Sequence, residues 1–388
     1  MSQISIAIDG NEANVTQRVG SNVYAFEIIK ALEKITRHQQ AYQFTILLAQ
    51  VPISDLPKPR SGWKYQVIGP KIFWTQLGEP IYLYHHQTEF QVLFAPGHYA
   101  PRFCPIPYVS SVMDLAYLHF PQQFRSHDLL QLSNWTKYSV KHARKVIAIS
   151  EFTKQDIVKH YHKKSRDVVV AYPGLTSEVN HQPIPNRQIF SQFEITQPYF
   201  IYVGTIQPRK NLINLVEAFE SVVRSWESRQ LKGRHKTKSL QLVIAGKVGW
   251  LAESFFERVQ QSPFADQIKI VNYVSPREKQ VLYENATANI LVGLYEGFGI
   301  PPLEAMAVGT PAIVANNTSL PEVVGKAGVL VNPNRPQSIA QGMKEVLDWS
   351  AKHRAQIRKM MKIQVDKFNW ETSAQVILKT LRQVATHH

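Results

Sequence analysis

Glu296 and Glu304 stand eight positions apart in the stretch LYEGFGIPPLEAMAVGTPAIVA, residues 294–315, around a Gly-Phe-Gly turn and a double proline. Two such carboxylates could act as a general acid and base, or accept hydrogen bonds from the hydroxyls of a ligand. Pro301 and Pro302 have no amide hydrogen and a fixed φ, so a helix is expected to begin there. The amides of Phe298, Gly299 and Ile300 would then be free to line a ligand, with the glycines permitting a tight path. Glu296 falls in the loop before this helix and Glu304 in its first turn. A first-turn acid also stabilises a helix unaided, by up to about 1 kcal/mol, so Glu304 keeps a purely structural reading. Glu296, beside glycines, has no such reason to be acidic.

A second cluster lies upstream in YVGTIQPRKNLINLVEAF, where a strand ends at Gly204 and Thr205 and a loop carries Arg209 and Lys210. Asn211 is positioned to cap a helix whose apolar face is Leu212, Leu215, Val216 and Phe219. Two cations at a helix entrance oppose the helix dipole unless an anion lies between. An arginine fork and a lysine point charge suit a phosphate group; a pair turned to solvent is the alternative. Near the start, DGNEANVTQRVGSNVYAF places Gly20 before a helix, with Ser21 and Asn22 as cap candidates. That glycine either lets an anionic group approach the helix amides or simply makes a turn.

The elements that must position these groups are legible as short apolar runs: ISIAID, FTILLA, YQVIG, VLFAP, YVSSVMD, KVIAIS and VVVAY, then YFIYVGT, LQLVIAG, IKIVNYV, ANILVGL, PAIVANN and AGVLVNP. Amphipathic stretches such as SNVYAFEIIKALEK alternate with them, which indicates parallel sheets covered on both faces. Between the two sets, PGLTSEVNHQPIPNRQIFSQFEITQP reads as a linker with a short irregular element, and SWESRQLKGRHKTKSL as a basic surface loop. The fold class is therefore α/β, two doubly wound domains in series. The 388 residues fit two domains.

The single cysteine, Cys104, excludes a disulfide framework and a multi-thiolate metal site. No run is long and apolar enough for a membrane span, and the start lacks a signal-peptide layout, so a cytoplasmic location is expected. The formal charge of +15 favours anionic partners. Residues 137–166 hold nine Lys/Arg against two acids, which reads as a solvated helix face or as peripheral contact with the inner face of an anionic membrane. No zinc-finger, helix-turn-helix or RNA-binding signature is present, and nucleic acid is not an expected partner. No G-x-G-x-x-G follows a strand, which disfavours a dinucleotide oxidoreductase.

VGTIQPRKN, followed by YEGFGIPPLEAMAVGTPAIVANNTSLPEVVGKAGVLVNP, resembles the retaining family 4 glycosyltransferases of the GT-B fold, whose E-x7-E motif the two glutamates match. FWTQLGEP, VMDLAYLHFPQQF, AISEFTKQDI and FNWETSAQVI extend the likeness over nearly the whole chain. The resemblance implies two Rossmann-like domains facing across a cleft: residues 1–180 with a returning helix at 370–388 for the acceptor, and 181–369 for a nucleotide sugar. It also implies that Arg209 and Lys210 neutralise the donor diphosphate, Gly20 approaches it from the opposite side, and Gly204 and Thr205 lie beside it. Glu304 would hold the ribose hydroxyls and Glu296 the transferred sugar. Tyr273 and Val274 would border the base, although apolar packing explains Tyr273 equally well. Phe298, Gly299 and Ile300 would present amides to sugar or phosphate.

In this family retention is ascribed to front-face attack, with the leaving phosphate taking the acceptor's proton, so Glu296 is expected to position the sugar. The chain has no D-x-D triplet, so the two cations, and no metal or other cofactor, are expected to stabilise the leaving group. Met113-Asp114 stands where many relatives have His-Asp, which leaves Asp114 in the expected catalytic set and the sugar O6 without its usual histidine. His98 or His119 would substitute, or His119 is a satisfied loop residue. The segment KIFWTQLGEP resembles its counterpart in bacterial polysaccharide transferases, with Phe73 and Trp74 available for acceptor stacking or for the core. The expected reaction moves a hexose, with UDP-glucose favoured over a GDP-sugar such as GDP-mannose, to a saccharide or lipid-linked saccharide in surface polysaccharide synthesis. A nucleotide-sugar epimerase and a non-catalytic saccharide-binding protein are the competing readings.

Overall fold

The computed structural model describes residues 3–97, 99–176, 185–232 and 239–386. They form two compact units, Met1–Thr176 with Phe368–His388, and Ser177–Lys367.

The first unit is built on β1 (Ile4–Asp9), β2 (Tyr42–Leu48), β3 (Trp63–Val67), β4 (Val92–Ala95), β5 (Tyr108–Val112), β6 (Lys145–Ala148) and β7 (Val168–Val170). All pair in parallel in the order β3-β2-β1-β4-β5-β6-β7. Its helices are α1 (Ser21–Thr36), α2 (Glu79–His85), α3 (Ala116–His119), α4 (Ser126–His142) and α5 (Glu151–Tyr161). The second unit has α6 (Asn186–Gln192), β8 (Tyr199–Val203), α7 (Leu212–Lys232), β9 (Gln241–Ala245), α8 (Glu253–Gln260), β10 (Ile268–Val271) and α9 (Pro276–Glu284). It continues with β11 (Ala288–Leu291), α10 (Ile300–Ala307), β12 (Ala312–Ala315), α11 (Leu320–Val324), β13 (Val329–Val331), α12 (Pro336–Asp348) and α13 (Ala351–Val365). Its strands are parallel in the order β10-β9-β8-β11-β12-β13. The order reverses between β1 and β4 and again between β8 and β11, the doubly wound arrangement that puts ligand sites beyond those strand ends.

The last helix, α14 (Trp370–Thr386), belongs to the first unit. It buries Trp370, Ala374, Ile377, Leu378, Leu381 and Val384, each worth about 1–3 kcal/mol of apolar transfer for the larger side chains. Trp370 meets Tyr24 edge to face at 5.8 Å, and Glu371 pairs with Lys34 of α1. Gly174 is required there, because a Cβ would lie 2.4 Å from the Trp370 amide nitrogen.

Two expectations change. The second half of the linker folds as α6, whose Ile189 packs with Ile195 and Tyr199 in the core. The basic segment is not a loop throughout, since α7 runs to Lys232. Residues 177–184 and 233–238 lie outside the described residues. No helix among the described residues is long and apolar enough to cross a membrane.

One polar feature sits inside the first unit. Glu79 is fully buried and neither carboxylate oxygen has a hydrogen-bond partner. Burial, then repulsion from Asp9, pushes its pKa well up. Burial likewise pushes Asp9 up to about 7, against the bond it accepts from the Asn11 amide at 3.0 Å. Both acids have folded pKa values above their unfolded ones, so their contribution to stability is full below the ordinary carboxylate range and is lost as pH rises through about 7 for Asp9. Glu79→Gln should therefore raise Tm more at pH 8 than at pH 5 in thermal denaturation; the same change at both values would contradict a protonated pair.

Candidate active site

The loops after β8 and β11 meet at the topological switch of the second unit. Gly204 has φ 153°, and a Cβ on it would lie 2.7 Å from the Tyr202 hydroxyl. Beyond it a 3-10 turn, Pro208–Lys210, presents both cations. Asn211 precedes α7 and its carbonyl accepts from the Leu215 amide at 3.3 Å, while its side-chain amide turns to other loops. It adopts the left-handed conformation (φ 61°), and its amide donates to the Val292 carbonyl at 3.0 Å and the Pro333 carbonyl at 2.7 Å. The Leu294 amide donates to the Arg209 carbonyl at 2.9 Å. One side chain and one backbone bond thus lock three loops together.

Glu296 is 7% exposed and its carboxylate is gripped by Lys210, whose Nζ lies 2.7 and 2.8 Å from the two oxygens. Arg209 Nη1 stands 3.9 Å from the same carboxylate and donates to the Tyr295 carbonyl at 2.7 Å. The cations are therefore beside Glu296, on neighbouring loops of one unit. The Glu296 amide donates to the Thr318 hydroxyl at 3.3 Å, and Ser319 Oγ reaches the Glu296 and Phe298 carbonyls at 2.8 and 2.7 Å. Gly293 leaves room for the carboxylate, since a Cβ would come within 2.7 Å of Oε1.

α10 begins at Ile300 behind Gly299, whose φ of 121° favours glycine, and carries Pro301 and Pro302 in its first turn. Glu304 is the fifth residue of this helix, just past the first turn where it was expected, so the stabilising role of a first-turn acid does not apply. Lys279 Nζ donates to its Oε1 at 2.6 Å, and the Tyr283 hydroxyl approaches Oε2 at 3.4 Å. These two partners sit one turn apart on α9, which is anchored by a capping box. Ser275 Oγ accepts from the Glu278 amide at 3.3 Å, and the Glu278 carboxylate accepts from the Ser275 amide at 2.7 Å. Burial, then the Glu304 carboxylate, pushes the Tyr283 hydroxyl pKa well up, keeping it a donor. With 24% of its side chain exposed, Glu304 stays reachable.

At the ends of β9 and β10, Tyr273 is 63% exposed with Lys247 Nζ 5.5 Å from its ring centre, so core packing does not explain it. The Val274 side chain is buried in the core, which leaves only its backbone to border a ligand. Phe298 is also buried, whereas Thr205 and Ile300 are half-buried.

In the first unit Gly20 (φ 52°) is the cap residue of α1 and faces open space. Ser21 and Asn22 are helical, not caps. Their side chains donate to Glu12 Oε2 at 3.2 and 2.7 Å. Asp114 follows β5 and accepts from the Ala116 amide at 3.0 Å, while Met113 is buried. His119 ends α3 and its Nε2 lies 2.8 Å from Asp156 Oδ2; His98 is outside the described residues. Trp74 belongs to the core and donates to the Ile68 carbonyl at 3.2 Å, but Phe73 is exposed. The basic 137–166 stretch is divided among the end of α4, buried β6 and α5, so it forms no single helix face.

Sequence reasoning missed Lys279, Tyr283, Thr318, Ser319 and Lys247. The Asn-Asn-Thr-Ser run after β12 and the Ser-Pro-Arg-Glu start of α9 were the available signals. Removing Lys210 leaves Glu296 buried with Arg209 only at 3.9 Å. Lys210→Ala should cost about 3 kcal/mol, and adding Glu296→Gln should restore part of it, as read by urea denaturation. Additive losses would show that the pair is not coupled.

Comparison with known proteins identifies the family of the chain. Residues 20–179 match the family model Glycosyltransferase Family 4, and residues 186–363 match Glycosyl transferases group 1. O-antigen chain mannosyltransferase B of Escherichia coli is 26% identical over 68% of this chain and 67% of its own length. O-antigen chain mannosyltransferase RfbU of Salmonella typhimurium is 27% identical over 61% of this chain, which spans 60% of that relative's length. Sucrose-phosphate synthase from Thermosynechococcus elongatus superimposes with a TM-score of 0.72 at 18% identity, covering all of both chains. The glycosyltransferase WaaG does so at 0.65 and 14%, covering 99% of this chain and 100% of that one. With both family models matched in tandem and the strand order of each sheet accounted for, this chain belongs to the group 1, family 4 glycosyltransferases and has the GT-B fold.

Proposed function

We propose that the enzyme is a retaining transferase that moves a hexose, with mannose from GDP-mannose favoured, onto a saccharide acceptor in surface polysaccharide synthesis. The observation that carries the reading is the convergence of Arg209, Lys210 and Glu296 at the β8/β11 switch, with Glu304 nearby on α10. Two cations match a diphosphate, and two acceptor-only carboxylates match hydroxyls. GDP-mannose replaces UDP-glucose as the favoured donor because the O-antigen relatives are mannosyltransferases. A GDP-mannose-dependent phosphatidylinositol dimannoside mannosyltransferase of Mycobacterium tuberculosis is 28% identical over 37% of this chain and 36% of its own.

In this reading the donor phosphate competes with Glu296 for Lys210. The freed carboxylate accepts from the hexose while Lys210 and Arg209 take up charge on the leaving diphosphate. The anomeric C–O bond to phosphate breaks, the acceptor oxygen bonds to the same carbon from the same face, and its proton passes to the departing phosphate oxygen. Glu304 accepts from the ribose hydroxyls, oriented by Lys279. Tyr273 offers a face to the base, and Gly204, Thr205, Val274, Gly299 and Ile300 contribute backbone around the donor. No metal is assigned to the chemical step.

GDP-mannose should raise Tm of the wild type more than UDP-glucose does, and Glu304→Ala should abolish the shift; turnover should persist without added Mg2+ or Mn2+. A shift retained in Glu304→Ala would sink the donor-site assignment, and a larger UDP-glucose shift would reverse the donor preference.

A lipid-linked acceptor is supported by the solvent face running from Phe73 into α2, where Phe73, Leu77 and Ile81 recur four apart and are 66%, 47% and 51% exposed, followed by Tyr84 at 64%. The opposite side buries Trp74 and Leu83. An apolar stripe of this kind on a chain of charge +15 suits the surface of an anionic bilayer. Leu77→Glu with Ile81→Glu should reduce co-flotation with phosphatidylglycerol vesicles while leaving donor binding intact; unchanged flotation would remove this face from the acceptor route.

A further inference from the structure

The first unit contains a second cluster of metal-ligating side chains, apart from the donor residues. Asp156 and His160 are four apart on α5, so they project from one face of that helix, and His119 reaches them from the end of α3. His119 Nε2 lies 2.8 Å from Asp156 Oδ2, and His160 Nε2 lies 3.6 Å from Asp156 Oδ1. One ligand atom from each residue lies within 4.8 Å of the other two.

We propose that His119, Asp156 and His160 form a binding site for a divalent transition-metal ion of the zinc class. Three observations carry this. The spacing is close to the separation of about 3.3 Å that tetrahedral zinc at 2.0–2.2 Å imposes on its ligands, so small side-chain rotations complete the site. His160 Nε2 is sealed from solvent and makes no hydrogen bond, with Asp156 Oδ1 beside it at 3.6 Å, beyond hydrogen-bond reach. The Asp156 side chain is 6% exposed whereas both histidines are 29% exposed, which gives a buried anionic anchor and an open side for entry and for a water as fourth ligand.

Two imidazoles and one carboxylate select zinc, cobalt or nickel over magnesium or calcium, which prefer all-oxygen sites. Binding requires a bare Nε2 on His119, so a proton carried there moves to Nδ1 or to solvent. The two rings already meet edge to face at 5.1 Å, and the ion would enter where they and the carboxylate converge. Its structural effect is to clamp α3 to α5 and hence to fix the segment that begins at Met113 and Asp114. This role is separate from leaving-group stabilisation, which the donor site assigns to Arg209 and Lys210.

The test uses the full chain without an affinity tag, stripped with chelator and titrated with ZnCl2 by calorimetry, with thermal denaturation and a CoCl2 absorption spectrum alongside. The expected result is one equivalent bound, a raised Tm, and visible cobalt ligand-field bands. Both His160→Ala and His119→Gln, checked for native circular dichroism, should bind at least about tenfold more weakly and lose the bands. MgCl2 should do none of this. Failure to bind zinc, or equal binding by wild type and the two variants, would overturn the site and leave a hydrogen-bonded histidine–aspartate cluster. GDP-mannose binding by the stripped protein reports separately on the donor site.

Discussion

Burial of the Glu296 carboxylate is the constraint around which the second unit's ligand edge is organised. A carboxylate at 7% exposure is tolerable only if countercharge and donors meet it. Lys210 supplies the charge, and the surrounding loop is held by its own set of bonds: Thr318 to the backbone amide, Ser319 to two carbonyls, and Asn211 across the neighbouring loops. None of these groups is close in sequence to Glu296 except through the fold. The acid, the cation and the loop geometry therefore form one unit that stands or falls together.

Parallel sheets make that concentration possible. Every strand of the sheet delivers its following loop to the same edge, so β8, β9, β10 and β11 contribute Lys210, Lys247, Tyr273 and Glu296 without any long excursion of the chain. Glu304 is supported differently. Its partners come from α9, whose start is fixed by the Ser275–Glu278 box, so a local capping event determines where Lys279 and Tyr283 meet α10. Strand ends set the cations and Glu296, and helix register sets Glu304.

Much of the scaffold was legible in the sequence. Runs such as KVIAIS and LQLVIAG are largely apolar because both faces of a parallel sheet are covered, and each of the thirteen runs quoted overlaps a strand among the described residues. The start of α10, at Ile300 beside the expected Pro301, was legible for an equally local reason. What was not legible involves long-range pairing. Lys210 and Glu296 are 86 positions apart, and nothing in the local pattern says that they touch. The same holds for Asn211, whose αL backbone turns its amide to other loops, away from its helix. Tyr273 and Val274 are neighbours with opposite fates, one exposed and one in the core, a distinction set by tertiary packing.

The return of α14 gives the first unit an unusual place in time. Its sheet and α1 come from the first 176 residues, but the helix that covers Tyr24 and closes against Gly174 lies after Lys367. On the ribosome, the second unit has all its segments before the first does. The apolar surface that α14 covers thus stays uncovered while the whole second unit is synthesised, and the unit begun first is the one finished last.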